Sequence, residues 1–120
     1  MVSQRDTGEV AEKIAERHLL KLGYKILDKN WYYGHYELDI VARDGNELVI
    51  VEVKSRTGLC YEHPSEAVTD AKIRRIVNAA DAYIIEKDLD LETRFDVITI
   101  IFSNQSFELE HFKDAYYPTI

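Results

Sequence analysis

Four ionisable residues fall at strand spacing in two neighbouring apolar runs. Glu52 and Lys54 stand two apart in Glu47–Lys54, and Glu37 and Asp39 stand two apart in Tyr36–Arg43. Residues two apart on a strand share a face. Val51 and Val53 therefore point away from Glu52 and Lys54, and Leu38, Ile40 and Ala42 away from Glu37 and Asp39. Asp44-Gly45 between the runs predicts a two-residue hairpin turn, because both residues accept positive φ. In that register Arg43 opposes Asn46, Asp39 opposes Ile50 and Glu37 opposes Glu52. All four groups then gather on one patch, with Asp39 diagonal to Glu52. A slip of one residue would disperse them.

A merely solvated hairpin face fits this pattern poorly, since like charges set directly opposite each other are destabilising. Three carboxylates and an amine beside very apolar strands predict a bound cation. Carboxylate oxygens suit Mg²⁺ or Mn²⁺, and the chain has no His/Cys set with zinc spacing. Asp39 and Glu52 are the expected ligands. A divalent ion shared with a phosphate oxygen polarises the phosphorus and lowers the pKa of a bound water. Lys54 is placed to orient or deprotonate that water, or to neutralise charge developing on the phosphate. The expected chemistry is phosphodiester hydrolysis.

These groups must be positioned by the elements around them. Val10, Ala11, Ile14, Ala15, Leu19 and Leu22 recur near helical spacing, which predicts a helix over Thr7–Leu22 ended by Gly23. Tyr24–Leu27 reads as a short strand and the aromatic stretch Asn30–Gly34 as a turn or irregular region. The hairpin follows, then a loop over Ser55–Ser65. A second helix is expected over Thr69–Glu86, its stripe formed by Ile73, Ile76, Val77, Ala80, Tyr83 and Ile84. After the acidic connector Asp88–Glu92, Arg94–Phe102 is apolar on both faces in its middle, as in a central strand. Phe107–Phe112 is a further strand at an edge. The order predicts an α/β protein with an αβββαβ core, a central mixed sheet flanked by helices, and one domain over residues 1–120.

Composition narrows the classes. The chain of 120 residues, 46% hydrophobic and 31% charged, is ordinary for a soluble domain able to bury a core. No apolar run is long enough for a membrane span, and Met1–Asp6 lacks the apolar stretch of a signal peptide. A single cysteine, Cys60, forms no internal disulfide, so the cytoplasm is expected. The net charge of −7 opposes nucleic-acid binding, but it is uneven. Residues 1–60 carry 9 Lys+Arg against 10 Asp+Glu, whereas residues 61–120 carry 6 against 12. Any nucleic-acid surface belongs on the first half and the basic start of the second helix.

Asp39 followed by Glu52-Val53-Lys54 resembles the D…(D/E)xK core of restriction-endonuclease-like nucleases. The wider chain resembles the YraN-like family of small bacterial proteins, related in fold to archaeal Holliday-junction resolvases. The matching pieces are Gly8-Glu9 with the Ala-Glu pair that follows, Gly23-Tyr24 with Ile26-Leu27, Asn30-Trp31, Glu37–Ala42, Val51–Arg56, Pro64 with Glu66-Ala67-Val68, and Arg94–Val97. They span roughly residues 8 to 100. The family's Gly directly before the first-strand Glu is replaced here, in Gly34-His35-Tyr36-Glu37.

The resemblance implies a Mg²⁺- or Mn²⁺-dependent endonuclease acting on DNA, on branched or damaged structures, as a homodimer with two sites. The alternative is a nucleic-acid-binding module that keeps the fold without cutting, which the acidic balance favours. The resemblance also places Glu9 near the metal or its water, although Asp6 and Glu9 are equally spaced as a capping box. Arg56, Lys72 and Arg75 are candidates for phosphate contact, against a reading as solvated surface. Trp31, Tyr32, Tyr33 and Tyr36 are expected in the core or an interface rather than stacked on bases. His35 has at most a supporting role, while His63 and Cys60 have none.

Overall fold

The computed structural model describes residues 4–57 and 69–116, with side chains from Thr7 onward. The elements are α1 (Gln4–Lys21), β1 (Lys25–Tyr33), β2 (Tyr36–Asp44), β3 (Glu47–Thr57), α2 (Asp70–Lys87), β4 (Glu92–Ser103) and β5 (Ser106–Phe112). The five strands form one open mixed sheet in the order β1-β2-β3-β4-β5, with one helix on each face, as the sequence predicted. Only β3 and β4 are parallel, and α2 makes the crossover between them. His63, Cys60 and the Pro64–Val68 motif lie outside the described residues.

Ala11, Ala15 and Leu19 follow one another at four-residue spacing and are buried against Ile40, Ala42, Val49, Val51, Ile98 and Ile100. Gly23 ends the run at φ +90°, where a residue with a Cβ would be strained. On the other face α2 buries Ile76, Ala79, Ala80 and Tyr83 against Leu38, Val41, Leu48, Ile50, Phe95 and Val97. Thr69 caps α2 by accepting a hydrogen bond from the Lys72 amide at 3.2 Å. The Tyr83 hydroxyl donates to Asp28 Oδ2 at 2.8 Å and ties α2 to β1. Tyr83→Phe is expected to destabilise the fold by about 1–2 kcal/mol in chemical denaturation, because Asp28 loses a charged hydrogen bond.

Three details depart from expectation. First, β1 runs through the aromatic stretch, pairing Trp31 with Leu38, Tyr32 with Glu37 and Tyr33 with Tyr36. Aromatic residues favour strands, and Gly34 at φ +62° confines the turn to Gly34-His35. Trp31 packs edge-on to Tyr83, with ring centroids 5.1 Å apart, while Tyr32 and Tyr33 are exposed.

Second, the β2–β3 turn is Gly45-Asn46, not Asp44-Gly45, since Asp44 pairs with Glu47. Gly45 takes φ +59° at the first central position, as a type II′ turn requires. Each β2 residue therefore opposes a β3 residue two places later than expected. Glu37 does not oppose Glu52, and the observed register, continued by one pair beyond Ile40–Val51, sets Asp39 against Glu52. A slip of two preserves the side-chain faces.

Third, α1 begins at Gln4, so Asp6 lies within the helix rather than at its N-cap. Among the described residues, no helix is long and apolar enough to cross a membrane.

A candidate metal-binding acidic site

β2 and β3 part at Asp39. The ladder between them ends at Ile40–Val51, while β3 stays paired with β4 as far as Thr57. Within β2, Ile40 and Ala42 pack on the α1 face and Val41 on the α2 face, yet Leu38 also packs on the α2 face. The strand's alternation therefore slips at Asp39, contrary to the simple parity that put Leu38 with Ile40. Asn30, which neighbours this point on β1, adopts φ +51°, a conformation Asn tolerates. The Asp39 side chain fills the gap, and its Oδ2 accepts a hydrogen bond from the Val53 amide at 2.9 Å.

Two groups of charge meet there. On one side, Glu12 of α1 and Glu37 and Asp39 of β2 each bring a carboxylate oxygen within 4.8 Å of the others. The Asn30 amide donates to both Glu12 oxygens, at 3.2 and 3.1 Å, and to Glu37 at 3.3 Å. On the other side, the buried Glu52 carries two ammonium groups on Oε1. Lys72 lies at 2.7 Å and Lys54 at 3.7 Å.

Burial and the nearby Glu52 charge push the Asp39 carboxyl up to about 8, despite the Val53 hydrogen bond. Glu12 is also raised, by burial and by Glu37, Glu52 and Glu9, with the Asn30 hydrogen bond opposing. Burial and the adjacent Lys72 lower the pKa of Lys54. For Lys72 burial opposes the charge, but the bonds to Glu52 and Lys54 outweigh it and the pKa rises.

The structure thus brings Asp39, Glu52 and Lys54 together, and it adds Lys72, which the sequence assigned to phosphate contact. Glu9 is exposed, one turn before Glu12 and near enough to raise the Glu12 pKa. Arg56 is exposed beyond the site, its guanidinium donating to the Ser55 carbonyl at 2.9 Å. Arg75 is exposed on α2, one turn after Lys72. Glu12 was not singled out from the sequence. Its signal was its position three residues after Glu9, on the same helix face.

The donor set fits a hard divalent cation. Glu12, Glu37 and Asp39 offer only oxygen ligands, from α1 and β2, and no His or Cys joins them among the described residues. Asn30 hydrogen bonds offset the repulsion at Glu12 and Glu37, and Lys72 and Lys54 offset it at Glu52. Glu12→Gln is expected to weaken Mn²⁺ binding by about 10–100-fold in calorimetric titration, and Glu9→Gln by much less. Equal losses would show that the two residues are not distinguished by the cluster.

The comparisons with known proteins agree among themselves. Residues 11–100 match the family described as "Uncharacterised protein family UPF0102". A UPF0102 protein of Bacteroides thetaiotaomicron is 46% identical over 120 residues, spanning 100% of this chain and 99% of its own. One of Phocaeicola vulgatus is 42% identical over the same spans, and UPF0102 protein FP2501 of Flavobacterium psychrophilum is 43% identical over 98% of each chain. With its αβββαβ core and an acidic site built from the residues of the sequence motif, the chain belongs to the UPF0102, or YraN-like, family.

Proposed function

We propose that the protein is a Mg²⁺- or Mn²⁺-dependent endonuclease of the restriction-endonuclease-like type, hydrolysing phosphodiester bonds in DNA. The observation that carries this reading is the parting of β2 and β3 at Asp39, with the Glu12 and Glu37 carboxylates on one side and Glu52, Lys54 and Lys72 on the other. Asp39 and Glu52, with Glu12 or Glu37, would hold the ion. When bound, it supplies Lewis-acid activation of the phosphate and of a water.

The protein's own groups do the rest. Lys54, its pKa lowered by burial, accepts the water's proton more readily than an exposed lysine. The water oxygen then bonds to phosphorus as the bond to a bridging oxygen breaks, and that oxygen takes up a proton from solvent to leave as a hydroxyl. Lys72 leaves Glu52 to neutralise the phosphate, so one ammonium serves two anions in turn. Arg56 and Arg75 contact the flanking backbone. A homodimer would present two such sites to a branched substrate.

Purified protein incubated with Mn²⁺ and labelled single-stranded, flapped and four-way-junction DNA is expected to cut at least one of them. Lys54→Ala should slow cutting by about 10²–10⁴-fold. The net charge of −7 favours a second reading, a binding module that does not cut. Salt-dependent DNA binding without cleavage in Mg²⁺ or Mn²⁺ would select it.

A further inference from the structure

Beside the acidic site lies a groove of about 500 Å³ lined by Tyr33, His35, Tyr36, Arg75 and Asn78. We infer that this groove seats an unpaired nucleotide of the DNA strand next to the phosphate being cut. The inference rests on the proposed nuclease site and names the part of the substrate that the site selects.

The groove adjoins the site through two residues. Tyr36 opens β2 directly before Glu37 of the acidic site, its ring half-buried against the core on the α2 face. Arg75 stands one helical turn after Lys72, which contacts Glu52 at 2.7 Å. The two cations form a line along α2 from the acidic site into the groove, the charge a nucleic-acid backbone requires.

The walls suit a base. Tyr33 is 52% exposed, His35 is exposed, and Asn78 offers amide donors and an acceptor to a base edge. Aromatic faces open to solvent stack bases of any sequence, but only bases not already stacked in a duplex. A groove of this volume is of the size that binds small organic ligands.

Its direction is also set. A second depression shares Tyr33 and Asn78 and continues along α2, but Asp81 and Glu86 line it. A phosphodiester chain is repelled there and drawn back towards Arg75 and Lys72. Of the aromatic cluster, Trp31 packs on Tyr83 in the core, whereas Tyr33 is exposed at the groove.

The test is fluorescence anisotropy in Ca²⁺ with a labelled single-stranded 20-mer and its duplex, using the full chain. Tyr33→Ala is expected to weaken single-strand binding by about 5–100-fold, a loss typical of one stacked base. Duplex binding should stay within about twofold, and Tyr33→Trp should retain the single-strand affinity. Arg75→Ala should reduce the salt slope of single-strand binding by about 0.7, the value for one phosphate. Unchanged single-strand binding by Tyr33→Ala, or equal losses for both substrates in a variant that melts like the wild type, would overturn the inference. If Tyr33-dependent binding occurs without cleavage in any divalent metal, the groove stands and the nuclease reading fails. Cleavage of duplex with no dependence on Tyr33 gives the reverse.

Discussion

Asp39→Asn is expected to abolish divalent-cation binding and DNA cleavage while making the metal-free protein more stable at pH 8. The two effects have opposite sign because one carboxyl serves both. In the unfolded chain Asp39 titrates near 4. In the folded chain burial and the Glu52 charge push it up to about 8. Between these values the folded state binds the extra proton, so stability falls as pH rises across that window. Asn keeps an oxygen to accept the Val53 N–H but carries no charge to bury. A gain of about 1–3 kcal/mol at pH 8 is expected, shrinking to nothing near pH 4.

Thermal melts in EDTA from pH 5 to 8.5 would show the wild type losing stability on the alkaline side and the variant losing less. Calorimetry with Mn²⁺ at pH 7 should show heat that depends on buffer ionisation, because the ion displaces the Asp39 proton. A variant that binds Mn²⁺ like the wild type, or that melts lower at pH 8, would refute the role given to Asp39.

The fold was legible because its signals are local and repeated. Helical spacing placed Ala11, Ala15 and Leu19 on one stripe, and the doubly apolar Arg94–Phe102 run marked the strand at the sheet's interior. Period-two alternation put Glu52 and Lys54 on one face whatever the turn, and misplacing the turn by two residues still left Asp39 beside Glu52, because parity tolerates even shifts. What sequence could not give were the irregularities. The Leu38 reversal, the positive φ of Asn30 and the parting of β2 from β3 break the very periodicity used to read strands. Glu12 was hidden for a related reason. Its place in the site depends on how α1 lies across the sheet, a tertiary fact that its spacing from Glu9 does not by itself reveal.

Asp96→Asn is expected to cost about 3–5 kcal/mol of stability, without touching any residue of the acidic site. Asp96 is fully buried and accepts four hydrogen bonds. They come from Arg94 Nε at 3.0 Å and Nη2 at 3.1 Å, His111 Nε2 at 2.7 Å and the Asp114 amide at 3.2 Å. Burial works against its charge, but His111 and Arg94 prevail and hold its pKa low. An ionised Asp96 makes His111 Nε2 the donor, and the other ring nitrogen, Nδ1, lies 3.0 Å from His18 Nε2 on α1. An amide at position 96 would turn N–H groups towards donors and leave the Arg94 guanidinium short of its buried counterion. Asp44 and Glu47, both 3.0 Å from Nη1, and Tyr24 at 2.6 Å from Nη2 compensate only in part.

Replacing both charges, as in Arg94→Met with Asp96→Val, should cost less than the sum of the single losses, since no charge is then stranded. The network also sets an acid limb opposite to that of Asp39. The stability Asp96 contributes is present above pH 4 and is lost as its carboxylate protonates below that. Burial, His111, Lys113 and Lys21 lower the His18 pKa, so the unfolded chain takes up the proton first and stability declines as pH falls below about 6.5. The metal-free wild type should therefore be most stable at mildly acidic pH, since above about 6.5 only the Asp39 loss operates, while His18 and then Asp96 oppose it on the acid side. Asp39→Asn should remove the alkaline decline and keep the acid one, while Asp96→Asn should lower the whole curve. Because His18 fastens α1 to the sheet and α1 carries Glu12, Asp96→Asn should also weaken Mn²⁺ binding modestly, and a fully preserved affinity would show that α1 is held in place without this network.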